Sequence, residues 1–169
     1  KDYTVGIIAA GALLTYLYET QKSTMPHITT LMPYSSGKYM LIDSSSRRNL
    51  ELVETMREKQ KKGSLLWVLD KTKTAMGARM LRSYIEQPLI NKDEIIRRQD
   101  AIEELNDCMI DREELREYLN PVYDMERIMT KISCKTANPR DLIAFRNTLE
   151  MIPHIKRIIG NFKAPMFTD

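Results

Sequence analysis

The chain has 169 residues, 43% hydrophobic and 29% charged, with only 6 Gly and 7 Pro. That balance suits one domain with a single core and excludes a disordered or fibrous chain. A net charge of +3 is too small to argue nucleic-acid binding alone, and the longest apolar run, residues 5–14, is too short to span a membrane. The start, KDYTVGII, lacks the build of a signal peptide. Cys108 and Cys134 have no partner motif, which points to a reducing compartment. The chain begins without Met and ends in a Pro- and Phe-containing tail, so it is expected to be a piece of something longer.

Taken in order, residues 6–21 read as a helix, with Ala9, Ala10, Leu13, Leu14, Leu17 and Tyr18 in one apolar stripe. Pro26 ends it. Residues 27–34 and 38–43 are rich in Thr, Tyr, Ile and Leu and flank Ser35-Ser36-Gly37. They read as an antiparallel β-hairpin near 28–43. Asp43-Ser44-Ser45-Ser46 offers four N-caps before a helix with Leu50, Val53 and Met56 on one side. The polar run 57–63, mostly basic and closed by Gly63, reads first as a solvated helix end. Its alternative is a phosphate-contacting patch.

Residues 65–90, LLWVLDKTKTAMGARMLRSYIEQPLI, are the organising stretch. A short helix carries Leu65, Leu66, Val68 and Leu69, with Trp67 expected in the core. Thr72 or Thr74 caps a second helix with Met76, Met80, Leu81, Tyr84 and Ile85 at helical spacing. Pro88 stops it. Asn91 opens the next helix, with Ile95, Gln99, Ile102 and Leu105 on one side. Asp111 opens a shorter one that closes at Asn120-Pro121. Asp124 caps a third, carrying Met125, Ile128, Met129 and Ile132. Asn138-Pro139-Arg140-Asp141 is the sharpest start signal: an Asn cap, Pro in the first turn, and an acid against the helix dipole. Leu142, Phe145, Leu149 and Ile152 follow as a stripe, and Pro153 is expected to kink or restart the helix. The expected fold is mainly α: a helical bundle with one small hairpin.

Reactive chemistry is sparse. Ser36-Gly37-Lys38 lacks the upstream Gly of a phosphate loop. His27 and His154 have no Cys or carboxylate at metal-ligand spacing. Asp124, Glu126 and Arg127, and likewise Arg140, Asp141 and Arg146, read as structural pairings between helices. No cofactor or catalytic residue is expected here. The DNA-contact candidates are Arg47, Arg48, Lys59, Lys61 and Lys62.

Five stretches carry a resemblance: AAGALLTYLYETQK, then PHI at 26–28, IDSSSRRNLEL at 42–52, the organising stretch, and YDMERIMTKISCKTANPRDL at 123–142. In this order and spacing they resemble the core domain (domain III) of the bacterial MutS mismatch-repair proteins. The matching positions are Asp43, Asn49, Leu50, Glu51, Thr74, Met76, Gly77, Arg79, Pro88, Asp124, Arg127, Asn138, Pro139, Arg140 and Asp141. Tyr84 stands where that family commonly has Trp or Leu, and Ser44–Ser46 replaces a more usual Ala-Thr.

The resemblance implies a dimeric parent that finds mismatched duplex DNA, uses ATP with Mg, and signals to MutL in the cytoplasm, at the nucleoid. It implies that residues 1–7 end a connector domain, 8–137 form the helical core, and 138–169 begin a lever toward a clamp domain. The mismatch wedge and Walker motifs of the family have no match here, so the chain itself is expected to be non-catalytic. In that family the core is discontinuous. Leu142, Phe145, Leu149 and Ile152 should therefore leave an exposed apolar strip, covered by self-association. The rival readings are a helical nucleic-acid-binding module using the basic residues near 47–62, and a helical enzyme.

Overall fold

A computed structural model describes residues 4–22, 28, 30 and 36–168. The chain divides into two compact units, Lys1–Gly37 and Lys38–Asp169, rather than the one that its length suggests. In the first, α1 (Thr4–Gln21) is apolar almost all round. It has no acid in its first turn, no base in its last, and buries none of its residues.

The expected hairpin is corrected. Residues 29 and 31–35, with Pro26 and His27 before them, lie outside the described residues. The second arm is described and is no strand. Ser36–Lys38 forms a 3-10 turn, and Tyr39 makes an isolated antiparallel bridge to Leu89. The Met40 amide donates to the Pro88 carbonyl at 2.8 Å, and the Ile90 amide to the Lys38 carbonyl at 3.3 Å. The partner is thus the stretch beyond Pro88, anchored by buried Leu89. Among the described residues there is no strand.

In the second unit, α2 (Ser44–Asn49) starts on Asp43, whose carboxylate accepts from the Ser46 amide and hydroxyl. These two bonds hold the Asp43 carboxyl below its usual range. The helix does not run on to Met56. Glu51 takes a left-handed φ of 47°, its amide donates to Arg48, and the Leu52 amide donates to Arg47. That is a left-handed helix stop, with Leu52 buried beneath it. The same turn then offers its carbonyls onward: the Leu65 and Leu66 amides donate to Glu51 and Leu52 at 3.0 and 2.9 Å. Two orphan amides at the start of α3 (Leu65–Leu69) are satisfied this way, and the fully buried Ser64 caps a third. Gly63 precedes it at φ 94°, where a side chain would be strained and would also meet Thr55 at 3.1 Å.

Helix α4 (Ala75–Glu86) is capped by Thr74, whose hydroxyl accepts from the Gly77 amide at 3.0 Å. A Cβ on Gly77 would press on that same oxygen at 3.1 Å. Helix α5 (Lys92–Asp107) is capped by Asn91. Arg98 lies 3.6 Å above the Tyr84 ring, tying α5 to α4. Helix α6 (Met109–Leu119) begins directly after Cys108, earlier than Asp111, and without a side-chain cap. Asp111 serves instead as the acid of its first turn.

Helix α7 (Met125–Ser133) ends in a second left-handed stop at Lys135, φ 57°. Helix α8 (Pro139–Ile159) passes through Pro153 unbroken. Proline removes one amide but takes a helical φ, and packing on α6 and α7 holds the helix on both sides of it. His154 stacks on Tyr118 of α6 at 4.9 Å, and Arg157 pairs with Glu114 at 3.0 Å.

After α8 the chain turns back. The amides of Lys163 and Ala164 both donate to the Glu104 carboxylate at 2.7 Å, and Arg97 donates to the Pro165 carbonyl at 3.0 Å. Phe162 and Ala164 are buried, and α9 (Pro165–Thr168) packs on α5.

Candidate functional site

The densest polar constellation joins α4, α7 and α8. Arg79, one turn into α4, directs both guanidinium nitrogens at Asp124. Nη1 donates to Oδ2 at 2.6 Å and Nη2 to Oδ1 at 2.8 Å. Nη2 also donates to Glu126 at 2.5 Å. The fork matches the planar carboxylate, so the pair fixes an orientation as well as a distance. Asp124 caps α7 at the same time, accepting from the Arg127 amide at 3.3 Å. Its carboxyl is held at about 2, first by the Arg79 hydrogen bonds and then by that amide. Arg79 is pushed further up by the two acids.

One residue earlier, the Tyr123 amide donates to the Thr148 hydroxyl at 3.0 Å, and that hydroxyl donates to the Ala144 carbonyl at 2.9 Å. Thr148 is fully buried in α8. A second tie closes the far end of α7. Lys131 reaches Asp141 at 2.8 Å, while Asn138 and Asp141 complete a reciprocal capping box at 2.9 and 3.0 Å. The Asp141 carboxyl is lowered by the Asn138 amide and by Lys131. Between α7 and α8 lies an open cleft of about 580 Å3, lined by Arg127, Lys131, Arg140 and Asp141 among others.

Each of these shifts stabilises an ionised group. None produces the raised carboxyl or lowered amine that proton transfer at neutral pH uses. Among the described residues no group of His, Cys, Asp and Glu could hold a metal ion, and no helix is long and apolar enough to cross a membrane.

The basic candidates fare differently from one another. Arg47 is half-buried and its Nε donates to the Ile42 carbonyl at 3.1 Å. Lys61 pairs with Asp70, whose carboxyl is held at about 2 by that bond and by Thr72. Arg48, Lys59 and Lys62 are exposed. Among the motif positions, Asn49 and Leu50 shape the α2 stop, Met76 is half-buried, and Arg127 and Arg140 are exposed.

Of the strip expected on α8, Leu142 and Leu149 are 51% and 43% exposed, whereas Phe145 and Ile152 are half-buried; Ile143, outside that stripe, is 53% exposed. The buried side of α8 is a different stripe, with Thr148 and Ile158 on it. Trp67 is 48% exposed, not in the core, because α3 is too short to cover both its faces. Thr148 and Glu104 escaped the sequence reading, since neither sits in a cap pattern.

A family model for MutS domain III matches residues 45–168. The chain belongs to the MutS domain III family. It is 66% identical over 166 residues to the DNA mismatch repair protein MutS of Lachnoclostridium phytofermentans, covering 98% of this chain and 18% of that relative. It is 54% identical to the MutS of Ruminiclostridium cellulolyticum, covering 97% of this chain and 19% of the relative, and 49% identical to that of Acetivibrio thermocellus, covering 98% and 20%. This MutS domain III chain therefore spans about a fifth of the length of the curated relatives it matches.

Proposed function

We propose that this chain is the relay of a MutS mismatch-repair protein, moved by neighbours and performing no reaction itself. The parent binds mismatched duplex DNA and ATP with Mg, acts as a homodimer in the bacterial cytoplasm at the nucleoid, and signals to MutL. In this reading residues 1–7 end a connector, 8–137 form the core, and 138–169 begin the lever toward a clamp. The observation that carries it is the Arg79–Asp124 and Tyr123–Thr148 pinning, which ties α4 to the start of α7 and the start of α7 to α8. A packed, pinned bundle passes on a displacement because it shifts as a body instead of bending. Nucleotide state at one side and DNA grip at the other are then coupled through it.

The test is a Gly-Gly insertion after Leu149 in the full-length protein. DNA-dependent changes in ATPase rate should disappear while nucleotide and DNA affinities persist. Unchanged coupling would overturn the relay.

A further inference from the structure

Helix α8 is paired along its length with two different helices. Its first half lies against α7: Lys131 reaches Asp141 at 2.8 Å, and the Tyr123 amide donates to Thr148 at 3.0 Å. Its second half lies against α6: His154 stacks on Tyr118 at 4.9 Å, and Arg157 pairs with Glu114 at 3.0 Å. Through all four contacts the α8 number rises as its partner's falls. So α6 and α7 run one after the other, antiparallel to α8. The turn between them, residues 120–122, therefore comes level with residues 149–153 of α8.

That level is also where α8 is weakest. Pro153 has no amide hydrogen to give the Leu149 carbonyl, and its ring presses on that carbonyl. Long helices bend where such a rung is missing. Both lines of chain thus lose helical continuity at one height. Each side of that height is anchored separately. Thr148 is fully buried on one side and Ile158 is buried on the other. Arg79 binds α4 to α7 through Asp124 and Glu126, and so to the first half of α8. Glu104 clasps the amides of Lys163 and Ala164, and so binds α5 to the chain that leaves the second half. Helices α6 and α9 pack on α5 as well.

We propose that the second compact unit is jointed at Pro153. One arm is α4, α7 and α8 up to Leu149. The other is α5, α6, α9 and α8 from His154 onward. Each arm keeps its own ties and turns as a body. The turn at residues 120–122 is the second pivot, and the loop between α4 and α5 is the third crossing. Arg98, 3.6 Å above the Tyr84 ring, reaches from one arm to the other and holds the joint closed. The joint goes beyond the relay reading and does not rest on it, since every contact it uses lies within this chain.

Amide residual dipolar couplings, measured by NMR on the weakly aligned 169-residue chain and fitted to each arm separately, test it. A rigid body gives both arms one alignment tensor. A joint gives them tensors of unequal magnitude, and that inequality is the expected result. Pro153→Ala supplies the missing donor in a residue that favours helix, and should bring the two magnitudes together. Pro139→Ala changes the first position of the same helix, where no helical donor is lost, and should leave them unequal. Tyr84→Ala removes the tie between the arms and should increase the difference. The proposal is overturned if one tensor already fits both arms of the unmodified chain, because packing then holds α8 straight across the proline. It is also overturned if Pro153→Ala leaves the inequality as it was, or if Pro139→Ala removes it equally well. An unchanged difference in Tyr84→Ala would overturn the closing role of Arg98.

Discussion

Two carboxylates hold distant stretches of this chain together, and they do so by different chemistry. Asp124 meets a side chain: the Arg79 guanidinium, 45 residues away, in a two-bond fork. Glu104 meets backbone: the amides of Lys163 and Ala164, 59 and 60 residues away. At the Glu104 clasp the apolar residues carry the weight, with Phe162, Ala164 and Ile158 buried around it and Phe162 against Phe167 at 5.0 Å. At the Asp124 junction the polar groups set geometry, and Arg79 stays 44% exposed. The clasp is a site of stability. The junction is a site of orientation, worth less in free energy and more in keeping three helices in register.

Removing the apolar anchor of the clasp should break this contrast most visibly. Phe162→Ala takes a buried ring from under the tail and should cost about 3–5 kcal/mol in denaturant unfolding. Hydrogen exchange at Lys163 and Ala164 should rise toward the rate of an open loop. Retained protection at those two amides would mean that Glu104 holds the tail without help, and the clasp would be ionic like the junction.

At the junction the next largest effect belongs to a neutral residue. Thr148→Val keeps shape but removes the acceptor of the Tyr123 amide from a fully buried position, at about 1–3 kcal/mol. Thr148→Ser keeps the oxygen and should lose less. If Val and Ser cost the same, packing rather than the hydroxyl fastens α7 to α8, and the two regions would differ less than their bonds suggest.

What could be read in the sequence follows the same division. Local signals were legible: Asp43, Thr74, Asn91, Asp124 and Asn138 cap helices because a short acceptor side chain reaches amides two or three residues on. The acids Asp124, Glu126 and Asp141 do pair between helices, but with Arg79 and Lys131; Arg127 and Arg146, expected in that role, pair with Asp124 and Glu150 close by in sequence. Long-range backbone bonding was not legible. Nothing in Glu104 marks it as the acceptor for two amides of the tail, and Tyr39 gives no hint that it bridges to Leu89 instead of across a hairpin. The end of α2 was hidden because Glu51 adopts a left-handed φ that composition assigns to Gly or Asn. Thr148 was hidden because a polar residue on an apolar face looks like an interruption. Here it is the most enclosed point of α8.

The smallest expected effect at neutral pH is the most informative about the junction. Asp124→Asn keeps an acceptor for the Arg127 amide, so α7 remains capped, but it removes the charge that the Arg79 fork recognises. Melting should fall by about 3 °C near pH 7. Folding lowers the Asp124 carboxyl from 3.8 to about 2. A lowered carboxyl stabilises the folded chain above its unfolded value, and that contribution is lost as pH falls through the folded value. The gap between wild type and variant should therefore be constant above about pH 5 and close between 3.8 and about 2. Asp70 is also held at about 2 and titrates in the same window in both proteins, so it cancels in the difference. A gap that stayed open at pH 2 would show that Asp124 acts through shape alone, and that the charge on Arg79 does not orient α4 against α7.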